Sequence, residues 1–253
     1  MRIAIVHGAA LALFLGSAAP ALAQIAPPAP PDRDRPGTRG YISVNGGAQL
    51  TRSDFTRDLT FPLYGEDARV EARHDVPAGP LLDVGGGVRI AGGLAAGAAV
   101  TWYQQRGSAT IDARLPHPLL PDTLRPLDET VVDLDRVETA VHAYVAWLVP
   151  AGDHVTIAVF GGPSFFRLEQ DVVSGLELDE VYPFDEVALE RAQITREKET
   201  APGFNVGADF MYRLTTSLGV GGVARYSRAT ADVGGDDLRT GGLQLSGGLR
   251  VIF

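Results

Sequence analysis

Residues 241–253 read GGLQLSGGLRVIF and alternate strictly between apolar and polar or small side chains. One set of alternate positions holds Leu243, Leu245, Gly247, Leu249, Val251 and Phe253, and the other holds Gln244, Ser246, Gly248 and Arg250. Alternation with a period of two predicts a β-strand that has one apolar face and one polar face. Residues 242–253 are therefore predicted to form a strand whose two faces meet different surroundings.

The same alternation recurs in seven upstream segments, which gives eight predicted strands. These segments are 41–50, 82–90, 94–105, 137–149, 156–168, 204–213 and 219–229. The connections between them alternate in length: short ones lie at 91–93, 150–155 and 214–218, and long ones at 51–81, 106–136, 169–203 and 230–241. Short turns at one end and long loops at the other are typical of transmembrane β-barrels of the outer-membrane type.

This pattern predicts an all-β fold, namely an eight-stranded antiparallel up-and-down transmembrane β-barrel with short periplasmic turns and long extracellular loops. Only a closed barrel satisfies every backbone group of a sheet in lipid, and 242–253 must then pair with 41–50 to close it. Within the first long connection, 60–70 is strand-like, which predicts a hairpin beyond the bilayer. A soluble lipocalin-like barrel has the same periodicity with the apolar face turned inward.

The positions of the aromatic residues favour the membrane barrel over the lipocalin-like one. On the predicted apolar face, Trp147, Tyr212 and Phe253 lie near the short turns, whereas Trp102, Phe204 and Tyr226 lie near the long loops. Two such bands are the pattern that the two interfaces of a bilayer select. We therefore interpret these six residues as membrane-interface aromatics.

The N-terminal segment and the composition indicate export. Residues 1–23 have a basic start at Arg2, an apolar stretch and a small-x-small ending at 21–23, which predicts a cleavable signal peptide; a retained membrane anchor is the alternative. Residues 24–39 are Pro-rich and are predicted to be a periplasmic tail, with the barrel at 40–253. The formal net charge of −9 argues against nucleic-acid binding, and the absence of cysteine excludes a disulfide framework.

Over residues 40–253 the chain resembles the small outer-membrane β-barrel proteins of Gram-negative bacteria, the OmpA-like and opacity-type eight-stranded barrels. The resemblance rests on the strand plan, the signal peptide and the terminal alternation Leu249-Arg250-Val251-Ile252-Phe253. It implies that Leu249, Val251 and Phe253 form the signal that the barrel assembly machinery reads, although Phe253 could be an interface anchor alone. It also implies an outer-membrane location, whereas no peptidoglycan-binding domain is expected after the barrel.

The predicted lumen carries charges of both signs, in a barrel just wide enough for side chains to fill. They are Asp83, Arg89, Glu138, Asp209, Arg213, Arg225 and Arg250. Unpaired charges in a narrow lumen are costly, so we expect them to pair with one another and plug the lumen. A narrow pore for small solutes is the alternative interpretation.

The sequence indicates architecture more sharply than activity. None of His74, His117 and His154 belongs to a recognisable catalytic motif, and His142 is expected to be an interior residue, so we expect no enzyme, cofactor or catalytic metal.

Residues 169–203 hold ten acidic and three basic residues, a net charge of −7, which fits either a solvated surface or a site for a divalent cation or an extracellular ligand. The expected function is structural or a surface interaction by a monomer in contact with outer-membrane lipid. A lipid-modifying enzyme or a protease is a further alternative.

Overall fold

The structure is a computed structural model, and it describes residues 39–233 and 236–253. The predicted signal peptide and nearly all of the predicted Pro-rich tail lie outside the described residues. The strands are β1 (Gly40–Gln49), β2 (Ser53–Leu63), β3 (Glu66–Val76), β4 (Gly79–Ala91), β5 (Leu94–Pro116), β6 (Leu124–Pro150), β7 (Val155–Glu180), β8 (Val187–Arg213), β9 (Leu218–Val233) and β10 (Asp236–Ile252). The described residues include no helix with the length and apolar character required to cross a bilayer.

Eight of these strands form a closed antiparallel ring, which confirms the predicted fold. The order around the ring is β1, β4, β5, β6, β7, β8, β9 and β10. β10 closes the ring on β1, with Tyr41 opposite Ile252 and Gln49 opposite Gln244. The predicted pairing of the terminal strand with the first strand is therefore confirmed.

The remaining two strands form the hairpin that the sequence predicts around residues 60–70. β2 pairs with β3 across a turn at Tyr64 and Gly65, both of which have positive φ. β3 then pairs with β5 from Arg69 opposite Arg114 to Asp75 opposite Ser108. The hairpin thus lies against β5 at the end of the ring away from the short turns, beyond the last residue of β1.

The segments expected as long loops are mostly strands. β5 to β8 contain 23 to 27 residues each, whereas a strand needs about 9–11 residues to cross a bilayer. At the end away from the short turns, the turns that join β5 to β6 and β7 to β8 cover only 117–123 and 181–186. Residues 106–136 and 169–203 therefore extend the barrel wall as long β-hairpins instead of leaving it as irregular loops.

The polarity of the wall reverses along its length, and β5 shows the change clearly. In its lower part Val100 and Trp102 face outward with 45% and 55% exposure, and Thr101 is buried in the lumen. Above an irregularity at Gly107–Ser108, Ile111 is fully buried and Arg114 is exposed. The lower part therefore has an apolar exterior, as a transmembrane barrel requires, and the upper part has an apolar core.

The apolar exterior of the lower part excludes the lipocalin-like alternative, in which these side chains would point inward. In the upper part, residues from β3, β5, β6 and β7 form the largest buried apolar cluster. Its buried members are Ala68, Val70, Ala72, Ala109, Ile111, Ala113, Leu115, Leu127, Leu134 and Val173. Burial of this set stabilises the extension without lipid, by about 25 cal/mol per Å² of apolar surface removed from water.

Candidate functional site

The lumen of the lower part contains an ion pair that joins opposite regions of the sequence. Arg225 on β9 donates from Nη1 to Oδ2 of Asp83 on β4 at 2.6 Å, and Asn45 on β1 donates to Oδ1 of the same carboxylate at 2.8 Å. All three side chains are buried, and the guanidinium lies 5.7 Å from the ring centroid of Phe160. Asp83 and Arg225 thus bridge the lumen instead of lining an open channel.

A second buried ion pair lies nearer the short turns. Arg250 on β10 donates from Nη1 to Asp209 on β8, and its guanidinium lies 5.5 Å from the ring centroid of Tyr41. Arg89 and Arg213 line a small cavity at this end of the lumen, together with Arg39. Among the described residues neither Arg89 nor Arg213 makes an ion pair, and Arg89 is exposed.

The third buried ion pair closes the upper end of the polar lumen. Glu138 lies 2.6 Å from Arg136, which also donates to the side-chain oxygen of Gln170 at 3.2 Å. The other oxygen of Glu138 accepts a hydrogen bond from the amide of Gly241 at 3.1 Å. Sequence reasoning placed Arg136 in a loop, but it is fully buried within β6. The signal was its position two residues before Glu138 on one face of a continuing strand.

A buried hydroxyl–imidazole network lies between these ion pairs. Nδ1 of His142 lies 2.7 Å from Oγ of Ser164, and its Nε2 lies 3.1 Å from the hydroxyl of Thr101. Asn205 donates to the Ser164 hydroxyl at 2.9 Å. A serine beside a histidine is a feature of nucleophilic catalysis, but catalysis also needs access for a substrate. His142 is fully buried and none of its described polar contacts is a carboxylate, so these groups fill the lumen.

The six predicted interface aromatics all have exposed outward side chains. Their exposures are 55% for Trp102, 60% for Trp147, 49% for Phe204, 41% for Tyr212, 38% for Tyr226 and 61% for Phe253. Leu249 and Val251 on the same face of β10 are 59% and 55% exposed. The backbone of Phe253 pairs with that of Gly40, so the proposed assembly residues lie on the strand that closes the barrel.

His74 holds the extended part of the barrel together. Its ring stacks on Phe55 with centroids 4.4 Å apart, Nδ1 donates to the carbonyl of Ala72, and Nε2 accepts the amide of Val173. Burial, and to a smaller extent the nearby Arg57, lower the pKa of His74 from 6.5 to about 4, against the opposing effect of its hydrogen bond to Ala72. The structure therefore requires a neutral imidazole at this position.

Acidification is expected to weaken this extended part through His74. The lowered pKa means that its contribution is fully present above the pKa of the unfolded chain and is lost progressively as the pH falls toward the folded-state pKa. The free energy of unfolding should fall by at most about 2 kcal/mol between about pH 7 and about pH 5. Denaturant titrations of wild type, His74→Gln and, as a control, the exposed His154→Gln measure this. An equal pH dependence in all three proteins would contradict the assignment.

About half of the acidic side chains in 169–203 lie in ion pairs with arginine or lysine. Five of the ten acids lie within 4 Å of an arginine or lysine side chain: Glu169 near Lys198 and Arg167, Asp171 near Arg196, Glu177 near Arg191, Glu180 near Arg125 and Glu197 near Arg57. A sixth, Asp185, lies 3.7 Å from Nε2 of His117. Hydrogen bonds from Arg196 lower the pKa of Asp171. Within residues 39–233 and 236–253, no group of three or more potential metal ligands is found.

Three hairpin ends meet at the pole farthest from the short turns, where buried polar contacts fix them. Arg125 donates to the carbonyls of Phe184 and Pro116 at 3.0 and 2.7 Å and pairs with Glu180, which also accepts the Tyr64 hydroxyl. Around these contacts lies an exposed apolar set that we name the tip patch. Its members are Tyr64, Leu119, Leu120, Leu124, Val181 and Tyr182, with exposures from 51% to 77%.

No protein-family model and no curated protein sequence matches this chain. Several solved structures are similar over most of its length. Neisserial surface protein A has 14% identity and a TM-score of 0.43, with 85% of this chain and 97% of that chain covered. OprG from Pseudomonas aeruginosa has 10% identity and a TM-score of 0.41, with coverages of 85% and 97%. The outer membrane protease OmpT from Escherichia coli has 10% identity and a TM-score of 0.43, with coverages of 84% and 97%. At these scores the assignment of the barrel rests on the strand pairing of this chain itself.

Proposed function

We propose that this chain is an outer-membrane protein that presents the tip patch to other macromolecules at the cell surface. The location is supported by the apolar exterior of the lower barrel and by its two groups of exposed aromatic side chains. Buried ion pairs and hydrogen-bonded side chains occupy the lumen, which supports a plug over a narrow pore. The wall above the bilayer then acts as a stalk that carries the hairpin ends outward.

The observation that carries this proposal is the exposure of the tip patch. Exposed apolar groups are expected on the lower barrel, where lipid covers them, but not at a pole surrounded by water. Contiguous apolar patches on a water-facing surface mark sites of interaction with proteins or other macromolecules. Arg125 and Glu180 hold the hairpin ends in place, so less conformational entropy is lost when a partner binds. Adhesion is the surface role that this arrangement supports best.

The proposal predicts that cells displaying the protein adhere through the tip patch. Expressing cells should be retained on surfaces coated with extracellular-matrix proteins, and Tyr64→Ser/Leu120→Ser/Tyr182→Ser should lose most of that retention. Removal of a few large apolar anchors is expected to weaken an interface by at least about 2 kcal/mol, or roughly thirtyfold. Retention is measured at equal surface amounts, verified by protease cleavage of the protein on intact cells.

A matched control changes two apolar residues on the stalk instead. Val132 and Ile194 are 62% and 49% exposed on β6 and β8, so Val132→Ser/Ile194→Ser should leave adhesion intact. Retention of the tip variant at the wild-type level would refute the adhesive role. Recovery of wild type from the soluble periplasm, without the change in gel mobility on heating that folded barrels show, would refute the proposed location.

A further inference from the structure

A charged cleft lies on the outer surface of the barrel, near the upper ends of its apolar exterior. It separates the start of β2 from the paired strands β9 and β10 and has a volume of about 500 Å³. Arg52, Arg228 and Arg239 line it, and so does Tyr226. We name this feature the arginine cleft.

The backbone of β10 bends at the cleft through two consecutive glycines. Gly241 and Gly242 have φ values of +88° and +140°, which residues with a side chain rarely adopt. A Cβ atom on Gly242 would lie 2.5 Å from the side chain of Thr51, whose hydroxyl accepts the amide of Leu243 at 2.9 Å. The glycines thus let β10 approach Thr51 closely.

The three arginines of the cleft are exposed and have few counter-ions nearby. Among the side chains that the structure describes, those of residues 39–232 and 238–253, none lies in an ion pair with Arg52, Arg228 or Arg239. Most other arginines of the stalk pair with a carboxylate, for example Arg57 with Glu197 and Arg196 with Asp171. Asp54 also lines the cleft, so the formal charge of its lining is +2 when three arginines and one aspartate are counted. This surface therefore attracts an anion on a protein whose net charge is −9.

The wall of the cleft also has unused hydrogen-bonding groups. The side chains of Ser227 and Thr240 line it with 0% and 2% exposure, and neither hydroxyl has a hydrogen-bond partner among the described residues. A buried hydroxyl without a partner is destabilising by about 1–3 kcal/mol. Both side chains alternate with the outward-facing Tyr226, Arg228 and Arg239 and are shielded from solvent, so the exposed guanidinium groups are the ones that an oxygen-rich anionic ligand can reach.

We propose that the arginine cleft binds the phosphorylated head group of a lipid in the outer leaflet. Guanidinium groups bind phosphate through paired, charge-assisted hydrogen bonds. Tyr226 and Arg228 lie two residues apart on the outward face of β9, so the cleft opens beside an aromatic group at the upper edge of the apolar exterior. A lipid there places its acyl chains on the apolar wall and its phosphate at the arginines. This inference rests on the proposed membrane location.

The test compares binding of a phosphorylated glucosamine-disaccharide lipid and of its dephosphorylated form to the full-length protein in neutral detergent. Wild type should prefer the phosphorylated lipid, and Arg52→Ala/Arg228→Ala/Arg239→Ala should lose the preference, with about a tenfold weaker affinity for each arginine removed. Arg52→Lys/Arg228→Lys/Arg239→Lys should retain only part of it, because lysine keeps the charge but not the paired donors.

The control removes the same charge from the stalk. Arg73, Arg114 and Arg167 each lie near a carboxylate on their own strand, and Arg73→Ala/Arg114→Ala/Arg167→Ala should bind like wild type. Equal losses in both alanine variants, or no preference for the phosphorylated lipid in wild type, would overturn the proposal. Inorganic phosphate is the third probe, and binding of phosphate as tight as that of the lipid would assign the cleft to a free anion. The change in gel mobility on heating is measured separately. It tests whether the barrel is folded, so a failure of the lipid site can be distinguished from a failure of the proposed membrane location.

Discussion

Replacement of Asp83 by asparagine is expected to lower the free energy of unfolding by about 3 kcal/mol, because it leaves Arg225 charged and buried without its counter-ion. Asparagine has nearly the shape of aspartate and can still accept the hydrogen bond from Asn45, so the change isolates the charge. Arg225 is 4% exposed, and its Nε already lacks a hydrogen-bond partner among the described residues. Few other groups can therefore compensate for the lost carboxylate.

The reciprocal variant and the double variant separate the ion pair from general disruption of the lumen. Arg225→Met should also destabilise the barrel by about 3 kcal/mol, since it leaves a buried carboxylate unpaired. The double variant Asp83→Asn/Arg225→Met should lose less than the sum of the two single losses, because it buries no uncompensated charge. Denaturant titration of protein refolded in detergent, followed by gel mobility without heating, measures all three.

The exposed pair Glu71–Arg73 is the matched control. These side chains lie 2.7 Å apart but are 41% and 62% exposed, so Glu71→Gln should leave the free energy of unfolding nearly unchanged. A loss for Asp83→Asn no larger than that for Glu71→Gln would show that water in the lumen screens the buried pair. The plug would then contribute little to the stability of the barrel.

The strands of the lower barrel could be predicted from the sequence because their side chains alternate between an apolar exterior and a polar lumen. In segments such as 94–105 and 242–253, every second side chain is apolar. In a closed barrel these side chains face outward, toward lipid. The short turns and the ring order follow from the same pattern. The pairing of Asp83 with Arg225 did not follow, because two residues 142 positions apart meet only when the register of the intervening strands is fixed.

The stalk was missed for a different physical reason. Residues 109–115 read ATIDARL and alternate as well as any membrane segment, yet the positions between their apolar members are charged or polar. The segment was predicted to belong to the long connection 106–136 because long loops at one end are typical of outer-membrane barrels. In the structure the alternation continues, but here the apolar side chains point inward and the charged ones outward. The change from apolar to charged residues at the outward positions could have indicated this reversal. Arg125 and Arg136 belong to the same predicted connection, whereas the structure buries both on β6.

Substitution of Gly248 by valine is expected to prevent closure of most of the barrel population. Gly248 lies opposite Asn45 on the seam between β10 and β1 and faces the lumen. A Cβ atom added there would meet the backbone carbonyl of Val44 and would lie 2.7 Å from Cα of Asn45. Backbone atoms within a paired strand cannot rotate away as a side chain can, so the two strands must separate to accept the new group.

Separation at this position affects more than one contact, since the seam joins the ends of the sheet. Nine residue pairs connect β1 to β10, and an unpaired edge in lipid leaves backbone groups without partners, at several kcal/mol for each. The expected result is that most of the variant fails to acquire the heat-modifiable folded form after refolding into vesicles. The residual folded fraction should also be cleaved by protease within the seam.

Gly247 provides a control one residue away. It faces outward on the same strand, and a Cβ atom there would meet only the carbonyl of Gly221, at 3.4 Å, which is an ordinary van der Waals contact. Gly247→Val should therefore fold to the wild-type extent, because valine suits a strand and adds apolar surface toward lipid. Equal folding of both valine variants would mean that the seam is wider than the structure has it. A defect confined to Gly248 would locate the close approach of β1 and β10 inside the lumen, beneath the face that carries Leu249, Val251 and Phe253.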